Sequence, residues 1–184
     1  GLGAWSWDFF TTDPTGNFLG SPGGIKSAIL GTIAIVAVAS AIAIPIGIAV
    51  ALYLVELGRE TAFGRTVRYF VDVLTGVPSI VMGLFIYVGW VLLVDSKSGL
   101  AGAFALACLM LPVVIRSSEE MLKLVPEPLR EASYALGATK SRVTLTVVLP
   151  AAIGGIVSGA LLAIARAAGE TAPLLFTILT VTAT

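Results

Sequence analysis

The chain has 184 residues, 57% of them hydrophobic and only 12% charged, with a mean hydropathy of +1.00. A soluble domain carries roughly 25% charged residues, so this composition excludes a water-soluble globule and indicates a membrane protein. Net charge is zero and there is no histidine, which excludes a basic nucleic-acid stripe, histidine acid–base chemistry, Ser-His triads and histidine-ligated metals.

Residues 1–24 read as an external lead-in and 25–184 as a transmembrane domain. Uncharged runs between charges mark four spans: A at 27–55, B at 73–94, C at 98–115 and D at 143–165. Each approaches or exceeds the ~18–20 residues that cross hydrocarbon as a helix. Residues 171–184 begin a fifth span or form a re-entrant segment. Helix is the expected form throughout, because backbone polar groups in lipid must be satisfied within their own segment. The expected fold class is therefore all-α, a polytopic transmembrane helical bundle. Cys108, the single cysteine, lies in an apolar run; it forms no intrachain disulfide and reads as an inert membrane thiol. The chain starts at Gly1 and stops in an uncharged stretch at Thr184, so it is expected to be a segment of a longer protein.

Charge asymmetry orients the spans. Arg59, Arg65 and Arg68 lie between A and B; Lys123, Arg130, Lys140 and Arg142 lie between C and D, with Arg116 at the edge. The lead-in has only Lys26, beside Asp8 and Asp13, and the B/C loop only Lys97. Positive residues collect on the cytoplasmic side, so the A/B and C/D loops are expected inside and Trp5, Trp7 and Trp90 toward the outer interface. Pro45 and Gly47 in A, Gly76 and Pro78 at the start of B and Pro112 in C are candidate breakers. They read either as ordinary membrane-helix residues or as broken helices along a substrate path.

The polar stretch 117–147 is predicted to form a helix-turn-helix at the membrane surface. Pro126 and Pro128 open it, and Leu129, Ala132 and Leu136 share a helix face. Gly137 suits the left-handed position that ends a helix, and Thr139 or Ser141 can cap the next one. Arg130, Glu131, Lys140 and Arg142 are expected to be exposed. The structural alternative is an amphipathic surface helix with no partner.

Arg166 lies 16 residues beyond Pro150, roughly 24 Å along a helix, inside the hydrocarbon. A charge there costs at least ~2.5–3.5 kcal/mol on insertion scales and should face protein or a cavity. Glu170, four residues on, can neutralise it. Ala151, Gly155, Gly159, Ala163 and Ala167 form a small-residue ridge that permits close helix approach. The pair reads either as a structural ion pair or as a balanced cation that guides an anion. Arg116, with Glu119 and Glu120, is a second cluster, read mainly as interface snorkelling and solvated loop charge.

Glu131-Ala132-Ser133, Gly137 and Val147-Val148-Leu149-Pro150 resemble the "EAA" loop of bacterial ABC importer permeases, with Ser133 and Val147 as conservative departures. The run from Thr75 through Gly76, Pro78 and Gly83 to Phe85, and that from Arg166 through Gly169, Glu170 and Pro173 to Thr177, are similar to signatures of the phosphate-specific, PstA-type permease family. The resemblance covers residues 26–177 and implies a type I ABC importer fold with six helices, the first and last outside this segment. It implies that Glu131, Ala132 and Gly137 couple the chain to an ATPase. Arg166, Glu170 and Arg116 are then substrate-path candidates, and Gly76 and Pro78 helix-break candidates. No Gly-x-x-x-x-Gly-Lys-Ser/Thr loop is present, so ATP and Mg are expected on a partner chain and no cofactor or metal on this one. The implied partners are a second permease subunit, cytoplasmic ATP-binding subunits, an external phosphate-binding protein and the bilayer of a bacterial inner membrane. The alternatives are a permease of the same family for molybdate or sulfate, an intramembrane enzyme, or a passive anion channel.

Overall fold

The computed structural model describes residues 10–12, 25–94 and 98–178, and the elements among them are helical. In chain order they are α1 (Lys26–Leu52), ending in a π turn (Tyr53–Leu57); α2 (Ala62–Gly76); and α3 (Ser79–Ile86), followed by a π turn (Tyr87–Val91) and the short α4 (Leu92–Val94). Next come α5 (Gly99–Lys123) and α6 (Glu127–Ala135). α7 (Lys140–Val143) runs through a π turn (Thr144–Val148) into α8 (Leu149–Ala168), and α9 (Ala172–Thr177) follows.

Among the described residues, three continuous helices are long and apolar enough to cross a membrane: Lys26–Leu57, Gly99–Lys123 and Lys140–Ala168. α5 is the most buried of them and forms the centre of the bundle. α1 packs on it through Val36, Ala39, Ala43, Gly47 and Ala51, a stripe at helical spacing. The fit is close, since a Cβ on Gly47 would lie 2.7 Å from Val114 Cγ1. α8 also packs on α5, beside α1, with the predicted ridge: Gly155 lies against Met121 and Gly159 against Ser117, with Ala163 and Ala167 buried beyond them in the core that α1 shares. Ala151, at the start of that ridge, is exposed.

The predicted span B requires correction. The chain is already helical from Ala62, where the Thr61 hydroxyl accepts from Gly64 N at 3.0 Å and caps the helix. Arg65, Arg68 and Asp72 lie on this amphipathic α2, not in a loop. Counting uncharged residues missed it because its charges punctuate a helix. α2 ends at Gly76; Val77, before Pro78, is extended (φ −74, ψ 129), as steric conflict with the proline ring demands. Ala62–Gly76 and Ser79–Val94 then meet at a bend of 107°. By contrast, Pro45 and Pro112 lie inside continuous helices, so of the two readings open for them the ordinary membrane-helix one holds. Packed neighbours can shield the backbone groups such prolines free.

Basic residues from separate segments gather at one end of the bundle: Arg59, Arg68, Lys123, Arg130 and Lys140 line one cleft there. Beneath it, Ala51, Leu122, Val125, Val143 and Val148 form an apolar cluster that ties α1, α5 and α7 together. Trp90 is exposed, its ring centroid 5.2 Å from that of Phe104. Trp5, Trp7, Asp8, Asp13 and Lys97 lie outside the described residues, as does most of the lead-in 1–24.

Candidate functional site

The elbow between α5 and α8 is built by local rules. Pro126 and Pro128 start α6, where a missing backbone donor costs nothing. The helix stops in a Schellman arrangement: Gly137 N donates to Tyr134 O at 2.9 Å and Ala138 N to Ser133 O at 3.2 Å. Gly137 carries φ +78, a left-handed conformation that an L side chain rarely adopts. Thr139 then takes the extended N-cap conformation and α7 begins, although its hydroxyl makes no capping bond. The second arm, expected as a short helix that runs on toward Pro150 and into the bilayer, is continuous with the long helix Lys140–Ala168.

On α6, Glu131 and Ala132 are exposed. So is the apolar face: Leu136 is 89% exposed, and Leu129 and Tyr134 lack cover. Arg130, expected at the surface, is buried. It forms an ion pair with Glu56, donates to Leu122 O at 3.1 Å and lies 3.7 Å from Glu127. The reason is tertiary, since Glu56 sits on the π turn of α1 and the free carbonyl of Leu122 lies near the end of α5.

Arg116 and Glu119 belong to a network rather than to a solvated edge. Glu119 is 1% exposed and takes three cations: Arg68 Nε at 2.9 Å, Arg116 Nη1 at 3.0 Å and Lys123 Nζ at 2.8 Å. Arg116 also pairs with Asp72 of α2. Arg68 further donates to Leu54 O at 2.6 Å, in the π turn that ends α1, and to Arg59 O at 3.2 Å, in the link to α2. The snorkelling reading is therefore corrected for Glu119, which burial would make costly without such partners. Glu120 is exposed. The sequence shows Arg116, Glu119 and Lys123 at helical spacing, a local signal for part of the network. It does not show Arg68, 51 residues from Glu119.

Arg166 and Glu170 form an ion pair, Nε to Oε1 at 3.6 Å. The arginine side chain is 54% exposed in this chain and the carboxylate 18%. They flank an apolar notch between α5 and α8, walled by Leu109, Met110, Val113, Ala163 and Ala167. α8 ends at Ala168 and α9 starts at Ala172, so Glu170 sits in a second helix interruption. The segments beyond the two interruptions touch, and a Cβ on Gly83 of α3 would lie 2.5 Å from Pro173 Cα of α9. Gly76 and Pro78 flank the first bend, one exposed at each side. Of the candidate residues, Arg166 meets Glu170 while Arg116 has its own partners.

The family profile described as "Binding-protein-dependent transport system inner membrane component" matches residues 43–184. The chain is 50% identical over 157 residues to the phosphate transport system permease protein PstA of Yersinia pestis, covering 85% of this chain and 53% of that protein. The corresponding protein of Haemophilus influenzae is 45% identical over 180 residues, 97% of this chain and 63% of the relative. PstA 1 of Mycobacterium tuberculosis is 51% identical over 154 residues, 83% of this chain and 50% of the relative. The chain thus spans between 50% and 63% of the length of these relatives. A solved structure of the MetNI methionine ABC transporter in an inward-facing conformation superposes with a TM-score of 0.73 at 25% identity, over 79% of this chain and 70% of that one. The interrupted helices, the glycine-terminated elbow and the match over residues 43–184 together place this chain in the family of binding-protein-dependent transport system inner membrane components.

Proposed function

We propose that the chain is the membrane-spanning part of a permease subunit that imports inorganic phosphate across a bacterial inner membrane, driven by ATP hydrolysis on separate subunits. The observation that carries the reading is the elbow. A short helix with exposed Glu131, Ala132 and Leu136, closed by Gly137, stands at the basic end of an otherwise oily bundle. An exposed apolar and acidic face on a compact helix suits a groove on a cytoplasmic ATP-binding subunit. Phosphate as cargo is supported by likeness to relatives named phosphate transport permeases at 45–51% identity.

Movement of the elbow has a physical route inward. α7 is continuous with α8, which carries Arg166 toward the interruption at Glu170. Arg130 ties α6 to the ends of α1 and α5, so a pull on the elbow acts on these helices together. Discontinuous helices are what alternating access uses to expose a site to each side in turn. Arg166, balanced by Glu170, would guide the anion weakly, since tight capture would prevent release. A second permease subunit would complete the path, and an external binding protein would deliver the anion. ATP and Mg would act on the partner subunits.

The test is phosphate uptake by the full-length permease assembled with its partners in vesicles. ATP-dependent uptake that falls strongly in Arg166→Gln, with assembly and ATPase activity retained, supports the reading. Normal uptake in an intact Arg166→Gln complex rejects the guiding role. Strong competition by molybdate or sulfate, with little phosphate taken up, would reassign the cargo. Uptake that persists without the ATPase would indicate a channel.

A further inference from the structure

A cleft of about 570 Å³ opens at the basic end, between the π turn of α1 and α6. Five cations line it: Arg59, Arg68, Lys123, Arg130 and Lys140. Three are already committed, Arg68 and Lys123 to Glu119, and Arg130 to Glu56. Arg59 and Lys140 take part in none of the ion pairs among the described residues, and both are exposed. Among the described residues Glu60 is the lining carboxylate outside these ion pairs, and it follows Arg59 in the chain.

We propose that this cleft is a second anion site, separate from the Arg166–Glu170 notch, that takes a phosphate group between Arg59 and Lys140. The physical reason is charge. Glu56, Glu60 and Glu127 also line the cleft, but Glu56 and Glu127 are taken up by Arg130. That leaves Arg59 and Lys140 as the lining cations outside the ion pairs of the described residues, and the protein walls focus their field into the cleft. A phosphate, with a charge of roughly −1.5 to −2 at neutral pH and several acceptor oxygens, is matched to such donors by charge-assisted hydrogen bonds. The committed cations contribute field without being displaced from Glu119 or Glu56. The volume is many times the ~10–15 Å³ that one water needs by the same measure, so the cleft has room for a phosphate group.

Two sources offer this chemistry, free inorganic phosphate and the headgroup of an anionic phospholipid. The first span, at 32 residues or roughly 48 Å, exceeds the ~30 Å hydrocarbon core, so its end can stand at or beyond headgroup level. The proposal takes from the function above only that this end faces the cytosol. There, imported phosphate would accumulate beside the elbow.

The test reads Lys140 itself. The full-length permease is placed in nanodiscs of phosphatidylcholine, and acylation of Lys140 by an amine-reactive ester is followed by mass spectrometry. Inorganic phosphate is titrated against sodium chloride of equal ionic strength. Saturable protection by phosphate beyond the chloride control is expected. Arg59→Gln should raise the half-protecting concentration roughly fivefold or more, and Glu60→Gln should lower it, because one change removes a charge-assisted contact and the other a repulsion. Protection in nanodiscs containing phosphatidylglycerol, without added phosphate, would identify the lipid as the source. Lys140 reactivity that follows ionic strength alone in both lipid compositions overturns the proposal. None of these outcomes depends on transport, so a failed uptake assay and a failed anion site remain distinguishable.

Discussion

Arg130 and Glu56, 74 residues apart, form a buried ion pair that fastens α6 to the end of α1. The same guanidinium donates to Leu122 O, so one side chain joins the elbow to the ends of two long helices. Buried pairs of this kind add little net stability, yet removing one partner leaves the other charge stranded at a cost of about 3–5 kcal/mol. Arg130→Met is therefore expected to lower the thermal stability of the full-length permease, and Glu56→Gln combined with it should restore part of the loss. A double-mutant cycle on thermal unfolding measures the coupling. Additive single effects would show that the two residues do not act as a pair.

Arg68 makes three contacts with one planar group, to Glu119 and to the carbonyls of Leu54 and Arg59. A lysine keeps the charge but cannot present a fork in those directions. Arg68→Lys should cost about 1–3 kcal/mol through the unmet carbonyls and the weakened hold on Glu119. Denaturation of the two proteins in the same detergent checks this; equal stability would mean that charge alone matters at this position.

Gly137 has open space where a Cβ would go, so only its backbone resists substitution. Gly137→Ala forces an L residue into the left-handed region at about 1–2 kcal/mol, whereas asparagine tolerates it better. In the assembled transporter, Gly137→Ala should therefore reduce uptake per ATP hydrolysed more than Gly137→Asn does. The ratio of uptake to hydrolysis is the measurement, and equal ratios would remove the conformational argument.

Gly83 faces backbone: an added methyl would lie 2.5 Å from Pro173 Cα and 2.9 Å from Pro173 O. Neither atom belongs to a flexible side chain, so Gly83→Ala must push α3 and α9 apart. Overpacking of this kind costs about 1–3 kcal/mol. Uptake should fall while, on the proposed docking, the elbow still crosslinks to the ATPase through Leu136→Cys, at an exposed position. Loss of the crosslink as well would mean that the change unfolds the chain instead of separating the two interruptions.

The spans around Val36, Leu106 and Ile156, the stop at Gly137 and the ridge from Gly155 to Ala167 were legible along the chain. Each depends on neighbours a few residues away, or on bulk transfer from water to lipid. Helix α2 was not legible as a helix, because Arg65, Arg68 and Asp72 read as a polar loop when only uncharged length is counted. Glu119 and Arg130 look like ordinary surface charges in sequence. Their burial follows from partners 51 and 74 residues away, which no local pattern encodes.

What the sequence by itself determined is the solvent of this protein, the helical form of its backbone and the local hinge at Gly137, since hydropathy, amide satisfaction and glycine's φ range are properties of short segments. What only the tertiary structure decided is which charges are spent on one another and which stand free. An ionised side chain is defined energetically by what surrounds it. Here those surroundings are assembled from α1, α2, α5 and α6 only after the bundle has closed.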